Sequence, residues 1–316
     1  MGGEGGNVRF GIGLRQADVA TGRPTRTSQA LETQDTIVMH SLNQALAYRQ
    51  FGADHGQPVI YFHGTPGAPD ECEVFDRYGK EHNLSIVCYD RSAIDPQLQG
   101  DAYYRLIAEE ITAKAAGKPV DFIGFSIGAF IALQVCRAMK GNVRSLHLVS
   151  AAAPLDAGNF IDTAAGKAVF RLAQSHPSAF IWLARLQGLI ARGFPGLLFK
   201  MLFSSAAGED QALVADTAFR TTITRALKTC FSRHPQAYAR DIEAYVQPWK
   251  ESLPDIAATT CIWHGAEDNW SPVSMAVYLE SALPNCSKIT ILDGLSHYSC
   301  LYRTAPTICR LIKSLE

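Results

Sequence analysis

The sequence predicts an α/β fold, a mostly parallel, doubly wound sheet carrying an inserted helical segment. Three observations lead there. Short continuous apolar runs of strand character alternate with helix-period spans, the pattern of a parallel sheet covered on both faces. From about residue 155 to 255 the alternation stops, and apolar residues such as Phe170, Leu172, Phe180, Leu183, Leu186 and Ile190 recur at helical spacing. One apolar run, Val120-Asp121-Phe122-Ile123, stops at Gly124-Phe125-Ser126-Ile127-Gly128, a G-x-S-x-G turn that sets a serine between strand and helix.

Taken in order, residues 1–34 are rich in Gly, Thr, Arg and Gln without a sustained period and read as a flexible N-terminal tail. Thr36-Ile37-Val38-Met39 and Ala45-Leu46-Ala47-Tyr48-Arg49 read as an edge hairpin around Ser41-Leu42-Asn43. Pro58 to Phe62 is a strand ending in His63-Gly64-Thr65-Pro66-Gly67, followed by a helical span over 69–83. Ser85 to Asp90 is a further strand, and a helix covers 101–116 before the elbow strand and its helix at 127–139. After the strand Val143 to Leu148 and the helical stretch, the alternation resumes. Thr259 to Trp263 is a strand, a helix spans 273–282, Lys288 to Leu292 is the last strand, and a final helix runs to the C-terminus. The expected organisation is thus a core of residues 35–154 and 256–316, split by an insertion at 155–255.

Composition narrows the function. The chain of 316 residues is 47% hydrophobic, enough for a sizeable core, and its formal net charge of -1 gives no reason to expect nucleic acid as a partner. Its 8 cysteines are scattered, with no C-x-x-C pair and no His/Cys cluster at metal spacing. Several lie inside apolar runs, as Cys88 and Cys261 do, which suits buried thiols in a reducing, cytoplasmic setting. Met1-Gly2-Gly3-Glu4-Gly5-Gly6 has neither a basic start nor an apolar stretch, so no signal peptide is expected. The most apolar part of the insertion, 178–206, is broken by Arg185, Gln187, Arg192, Pro195 and Lys200, which excludes a membrane span. The expected partner is a small-molecule substrate, and no metal or organic cofactor is implied; oligomeric state is open.

In a parallel sheet the C-terminal strand ends share one edge, and ligands bind outside it. Four strands here end in chemically suggestive residues: His63-Gly64-Thr65, Ser126, Asp268 and His297. A serine hydroxyl needs an adjacent base to act as a nucleophile, and the base needs a third group to fix its tautomer. Ser126, His297 and Asp268 fill these roles in the chain order Ser, Asp, His. Glu267 is the neighbouring alternative acid, and the His264-Gly265-x-x-Asp268 spacing favours Asp268.

That order, the elbow, the H-G-x-P-G before it and the helical insert after the sixth strand-like run resemble the α/β-hydrolase family, over nearly the whole chain from residue 36. The likeness is nearest to cap-bearing, esterase-like serine hydrolases with His-Gly-Thr-Pro-Gly. The resemblance implies Ser126 as nucleophile, Asp268 as triad acid, His297 as base, and 155–255 as a cap over the pocket. It also implies an oxyanion hole from the backbone N–H groups of Thr65 and Ile127, with His63 and Gly64 supporting its loop. The expected reaction is cleavage of a carboxylic ester or lactone of a small, fairly apolar substrate through an acyl-enzyme on Ser126. A serine at the elbow speaks against epoxide-hydrolase or dehalogenase chemistry, which needs a carboxylate there.

Two alternatives follow from the same residues. One is an amidase or aminopeptidase, in which carboxylates among Glu209, Asp210, Asp216, Asp241 and Glu243 hold a substrate amine; the other is a non-catalytic receptor. One departure stands out. Where many relatives read Asp-Arg-Pro-Gly-x-Gly-x-Ser, this chain has Asp90-Arg91-Ser92-Ala93-Ile94-Asp95-Pro96-Gln97, lacking the turn glycines of a loop that often borders the pocket. Tyr238 and Trp249 read as core, and His264 as a structural histidine.

Overall fold

Val120–Phe125 is buried along its whole length, and this strand forms the middle of a seven-stranded sheet. The computed structural model describes residues 45–233 and 235–315; the expected tail at 1–34 and the run at 36–39 lie outside them. The strands are β1 (Tyr48–Gly52), β2 (Gln57–Phe62), β3 (Leu84–Tyr89), β4 (Val120–Phe125), β5 (Val143–Val149), β6 (Thr259–Gly265) and β7 (Cys286–Leu292). Their order is β1-β3-β2-β4-β5-β6-β7. All neighbours are parallel except β1, which runs antiparallel to β3. The first strand therefore begins at Tyr48, not at residue 45, because its ladder is set by β3: Tyr48 faces Tyr89, the last residue of that partner.

Helices α1 (Asp76–Glu81), α2 (Gly100–Lys114) and α3 (Ile127–Ala138) connect the first strands. The span expected as one helix over 69–83 is a 3₁₀ turn, Pro69–Phe75, followed by the short α1. Between β5 and β6 the chain forms only helices: α4 (Phe160–Thr163), α5 (Lys167–Ser175), α6 (Pro177–Gly193), α7 (Pro195–Leu202), α8 (Asp210–Ala215), α9 (Thr217–Arg233) and α10 (Pro235–Tyr245), besides 3₁₀ turns at either end. Then come α11 (Val273–Ala282) and α12 (His297–Lys313). Among the described residues no helix is long and apolar enough to cross a membrane.

The topology brings two of the expected site segments together. From β2 the chain steps to β3 on one side, then crosses over β2 to β4 on the other. Strand order reverses between β2 and β4, the crevice where open α/β sheets bind ligands. The segments leaving those two strands begin with His63 and Ser126. The inner strands β2 to β5 are largely buried, with Phe62 edge-on to Phe122 at 4.9 Å, whereas the edge strands β1 and β7 are largely exposed or half-buried.

Candidate active site

Ser126 occupies the single residue between β4 and α3, with φ 57° and ψ −130°. A non-glycine residue there is strained, and strain of about 1–3 kcal/mol persists only where the surroundings over-determine it. Here they do. The Ser126 N–H donates to the Val149 carbonyl (3.1 Å), and its carbonyl accepts from Ala129 and Ala152. The flanking glycines are needed for close approach: a Cβ on Gly128 would lie 2.3 Å from the carbonyl oxygens of Phe62 and His63, and one on Gly124 2.7 Å from the Ala129 backbone. Ile127 is the first residue of α3, where a helix leaves its N–H groups without intrahelical partners.

His297 is the first residue of α12 and is 1% exposed. Its ring lies between Phe125 and Trp270, with centroids at 4.8 and 4.9 Å. Nδ1 is 2.8 Å from Oδ2 of Asp268; a carboxylate only accepts, so Nδ1 carries the proton and Nε2 is left as the basic nitrogen. Asp268 takes two more hydrogen bonds on Oδ1, from the N–H groups of Trp270 and Ser271 at 2.9 Å each. Burial by itself would raise this carboxyl; the facing His297, its hydrogen bond, His264 and the Ser271 N–H outweigh that and hold it below the ordinary range. Glu267, by contrast, is exposed. His264 is fully buried and bonded through Nε2 to the Ser271 carbonyl (2.6 Å), a structural position.

The α12 terminus is fixed from outside the core. Asp210, in the inserted helices, accepts the N–H groups of Tyr298 (3.0 Å) and Ser299 (2.6 Å), two donors that a helix start leaves free. Ser296 and Ser299 add a reciprocal capping box.

The loop after β2 is held just as closely. His63 donates from Nδ1 to the Gly64 carbonyl (2.8 Å), and burial with the nearby Arg91 charge keeps its imidazole well below the usual histidine range. The Gly64 N–H donates to Glu71, which also takes the Tyr61 hydroxyl at 3.0 Å. Burial pushes the Glu71 carboxyl up to about 7, against the pull of these hydrogen bonds, Arg91 and His297. Arg91 is 3% exposed and reaches the His63 carbonyl (3.0 Å), the Gly64 carbonyl (3.3 Å) and Thr65 Oγ1 (3.0 Å). Its Nε donates to Asp241 of α10 at 2.9 Å. Arg240 completes the cluster, with bonds to Asp241, the Arg91 carbonyl and the Tyr103 hydroxyl at 3.0–3.1 Å. Burial opposes ionisation of Asp241, and the two guanidiniums reverse this and hold it low.

Ser126, His297, Thr65 and Ile127 line one cavity of about 320 Å³, roofed by the inserted helices. Asp268 lies behind His297, and His63 lies behind Thr65, both off the cavity wall. The Asp90–Gln97 loop is also off that wall. It forms a 3₁₀ turn closed by Asp90, whose Oδ1 accepts the Ser92 N–H at 3.0 Å, so the missing glycines are replaced by an Asx turn. Tyr238, expected in the core, lines the cavity, whereas Trp249 packs on Phe130 at 4.8 Å. None of the five acids considered as amine holders faces the cavity. Glu209 binds Arg303, Asp210 caps α12, Asp216 caps α9 through the Phe219 N–H, and Asp241 is paired as above. Glu71, Arg91 and Asp210 are the supporting residues the sequence reading missed; the only signal for Arg91 was the Asp-Arg pair after a strand.

Residues 59–307 match the family model described as "Alpha/beta hydrolase family". The chain belongs to that family. This hydrolase is similar in fold to a bromoperoxidase from Bacillus anthracis (TM-score 0.60, 18% identity, 87% of this chain and 96% of that one). It is also similar to the esterase EaEST from Exiguobacterium antarcticum (0.59, 18%, 85% and 95%) and to Est816, described as an N-acyl homoserine lactone degrading enzyme (0.57, 16%, 86% and 96%). No curated protein matches it. At these identities the likeness is one of fold.

Proposed function

We propose that this hydrolase cleaves a carboxylic ester or lactone of a small, fairly apolar substrate through an acyl-enzyme on Ser126. The observation that carries the reading is the Asp268–His297 hydrogen bond of 2.8 Å behind a cavity wall that His297 shares with the strained Ser126. In this reading His297 Nε2 takes the hydroxyl proton as Ser126 attacks the carbonyl, and Asp268 supports the resulting imidazolium. The N–H groups of Thr65 and Ile127 receive the oxyanion, each donor contributing roughly 3–4 kcal/mol to the transition state. His297 then protonates the leaving oxygen, and a water activated by the same imidazole releases the acid and restores Ser126. The inserted helices serve as the cap. Their wall, mostly Leu, Phe, Met and Tyr side chains with Gln187, Ser204 and Ser205 and without a carboxylate among the described residues, favours an uncharged, largely apolar ligand over an amine. The esterase and lactone-degrading neighbours are consistent with that substrate class.

The test is a chain-length panel of chromogenic esters with lactones and aminoacyl amides, run beside labelling with a fluorophosphonate. Labelling at Ser126 and ester or lactone turnover are expected. Ser126→Ala should lose both, with kcat falling at least about 10³-fold and the circular dichroism unchanged. A chain that stays unlabelled, or a variant that still turns over near the parent rate, overturns the mechanism.

A further inference from the structure

Ten large hydrophobic residues are exposed among the described residues, and six of them fall between residues 182 and 201. On α6, Trp182, Leu186 and Leu189 are 68%, 54% and 63% exposed and recur at four and three residues, one stripe of the helix. The opposite stripe, Phe180, Ala184, Gly188 and Ala191, is buried. Phe194 (72%), Leu197 and Met201 extend the outward face along α7, which packs beside α6. A patch so concentrated marks a contact site.

Charge says what covers it. From Thr163 to Gly208 there is no Asp or Glu, while Lys167, Arg171, Arg185, Arg192 and Lys200 are all exposed. Arg171 is paired with Asp162 outside that stretch, and Arg185 lies 5.2 Å over the Trp182 ring. A second copy meeting this face with its own would bring one set of Arg185, Arg192 and Lys200 up to another set of the same sign, with no carboxylate from this stretch between them. An anionic surface complements them, and long basic side chains can lay their stems along apolar contacts while their heads stay at the polar boundary.

We propose that the outward face of α6 and α7 docks on the surface of anionic phospholipid bilayers, Trp182, Leu189 and Phe194 entering the headgroup boundary and Arg185, Arg192 and Lys200 meeting lipid phosphates. The helices lie on the bilayer and do not cross it. The same two helices carry Gln187, Leu198 and Met201 to the cavity wall, and Met201 is both lining and 57% exposed. Met201 thus joins the docking face to the cavity wall.

Vesicle flotation tests this with the full chain, comparing vesicles of phosphatidylcholine alone with vesicles containing about 30 mol% phosphatidylglycerol, in low salt and in about 0.5 M salt. Binding is expected to the anionic vesicles and to weaken by about tenfold or more at the higher salt. The double variant Trp182→Ser/Leu189→Ser and the charge reversal Arg185→Glu/Lys200→Glu should each lose about tenfold or more while melting with the parent, since these side chains are exposed. Absence of binding to anionic vesicles overturns the proposal, as does binding that neither variant weakens. A concentration-dependent dimer in sedimentation that Trp182→Ser/Leu189→Ser dissociates would instead assign the face to a second copy. Vesicle binding does not require turnover, so it stands or falls separately from the ester reading.

Discussion

On the sheet side of the cavity the backbone of Ser126 and the ring of His297 are held by several buried contacts, whereas on the insert side the lining is mostly Leu, Phe, Met and Tyr, with Gln187, Ser204 and Ser205 among them, on helices and the short loops that join them. The first side holds Ser126 at an otherwise unfavourable φ, and His297 between two rings and a carboxylate. The second side leaves the buried Gln187 Oε1 without a hydrogen-bond partner, and is held to the first by the buried Arg91–Asp241–Arg240 cluster and by Phe203 packed on Trp270 and Tyr298 at 5.4 Å. In the proposed reading the difference separates two tasks: rigid polar geometry performs the chemistry, and shape in a mostly apolar wall selects what reaches it.

The comparison breaks first if the sheet side is disarmed. Asp268→Asn should lower kcat roughly 10³–10⁴-fold without altering binding of a product acid, because the imidazole loses its tautomer lock and the support for its charge. Kinetics on the best ester of the panel check this, and a fall of less than about tenfold would remove Asp268 from the mechanism.

The joint between the two sides comes next. Asp241→Asn leaves two buried guanidiniums without their carboxylate and should cost about 3–5 kcal/mol in urea unfolding. Asp241 is held below the ordinary Asp value of about 3.9, so its contribution is present above that value and lost as pH falls. The variant should accordingly be most destabilised near neutral pH and least in acid.

A change confined to the insert wall should be milder and selective. Leu202→Trp narrows the cavity and should reduce kcat/KM for the longest accepted acyl chain by about tenfold while sparing the shortest. Equal loss for all chains would mean that this wall does not select. The smallest effect belongs to Glu71→Gln. The folded carboxyl titrates at about 7 instead of about 4.5, so folding favours its neutral form and stability declines as pH climbs between those values. The glutamine variant should show a shallower decline of its urea midpoint from pH 5 to 8 than the parent does.

Much of this architecture can be read from residue patterns. Strand runs such as Ile86-Val87-Cys88-Tyr89 carry their burial in their composition, and the residues at their ends follow from sheet direction. The pairing of Asp268 with His297 and the meeting of His297 and Ser126 at one cavity wall were legible for that reason. The supports were not. Arg91 and Asp241 stand 150 positions apart, and a pairing between a loop and an inserted helix leaves no period in either. Glu71 follows Asp70 at the start of a turn, as a solvated acid would, yet it is 2% exposed because the Gly64 N–H and the Tyr61 hydroxyl point at it. Tyr238 looks like core because apolar periodicity does not distinguish the wall of a hollow from a filled interior.

The contact from Asp210 to the first turn of α12 bears on engineering. An insert of this kind invites wholesale exchange among relatives to obtain new substrate preferences, as though it were a detachable module. Here the segment to be swapped supplies the carboxylate that seats the residues immediately after His297. A grafted replacement without an acid at that spot would leave the imidazole on an unanchored helix end, and chimaeras could fail in turnover even where their pockets fit the new ligand well.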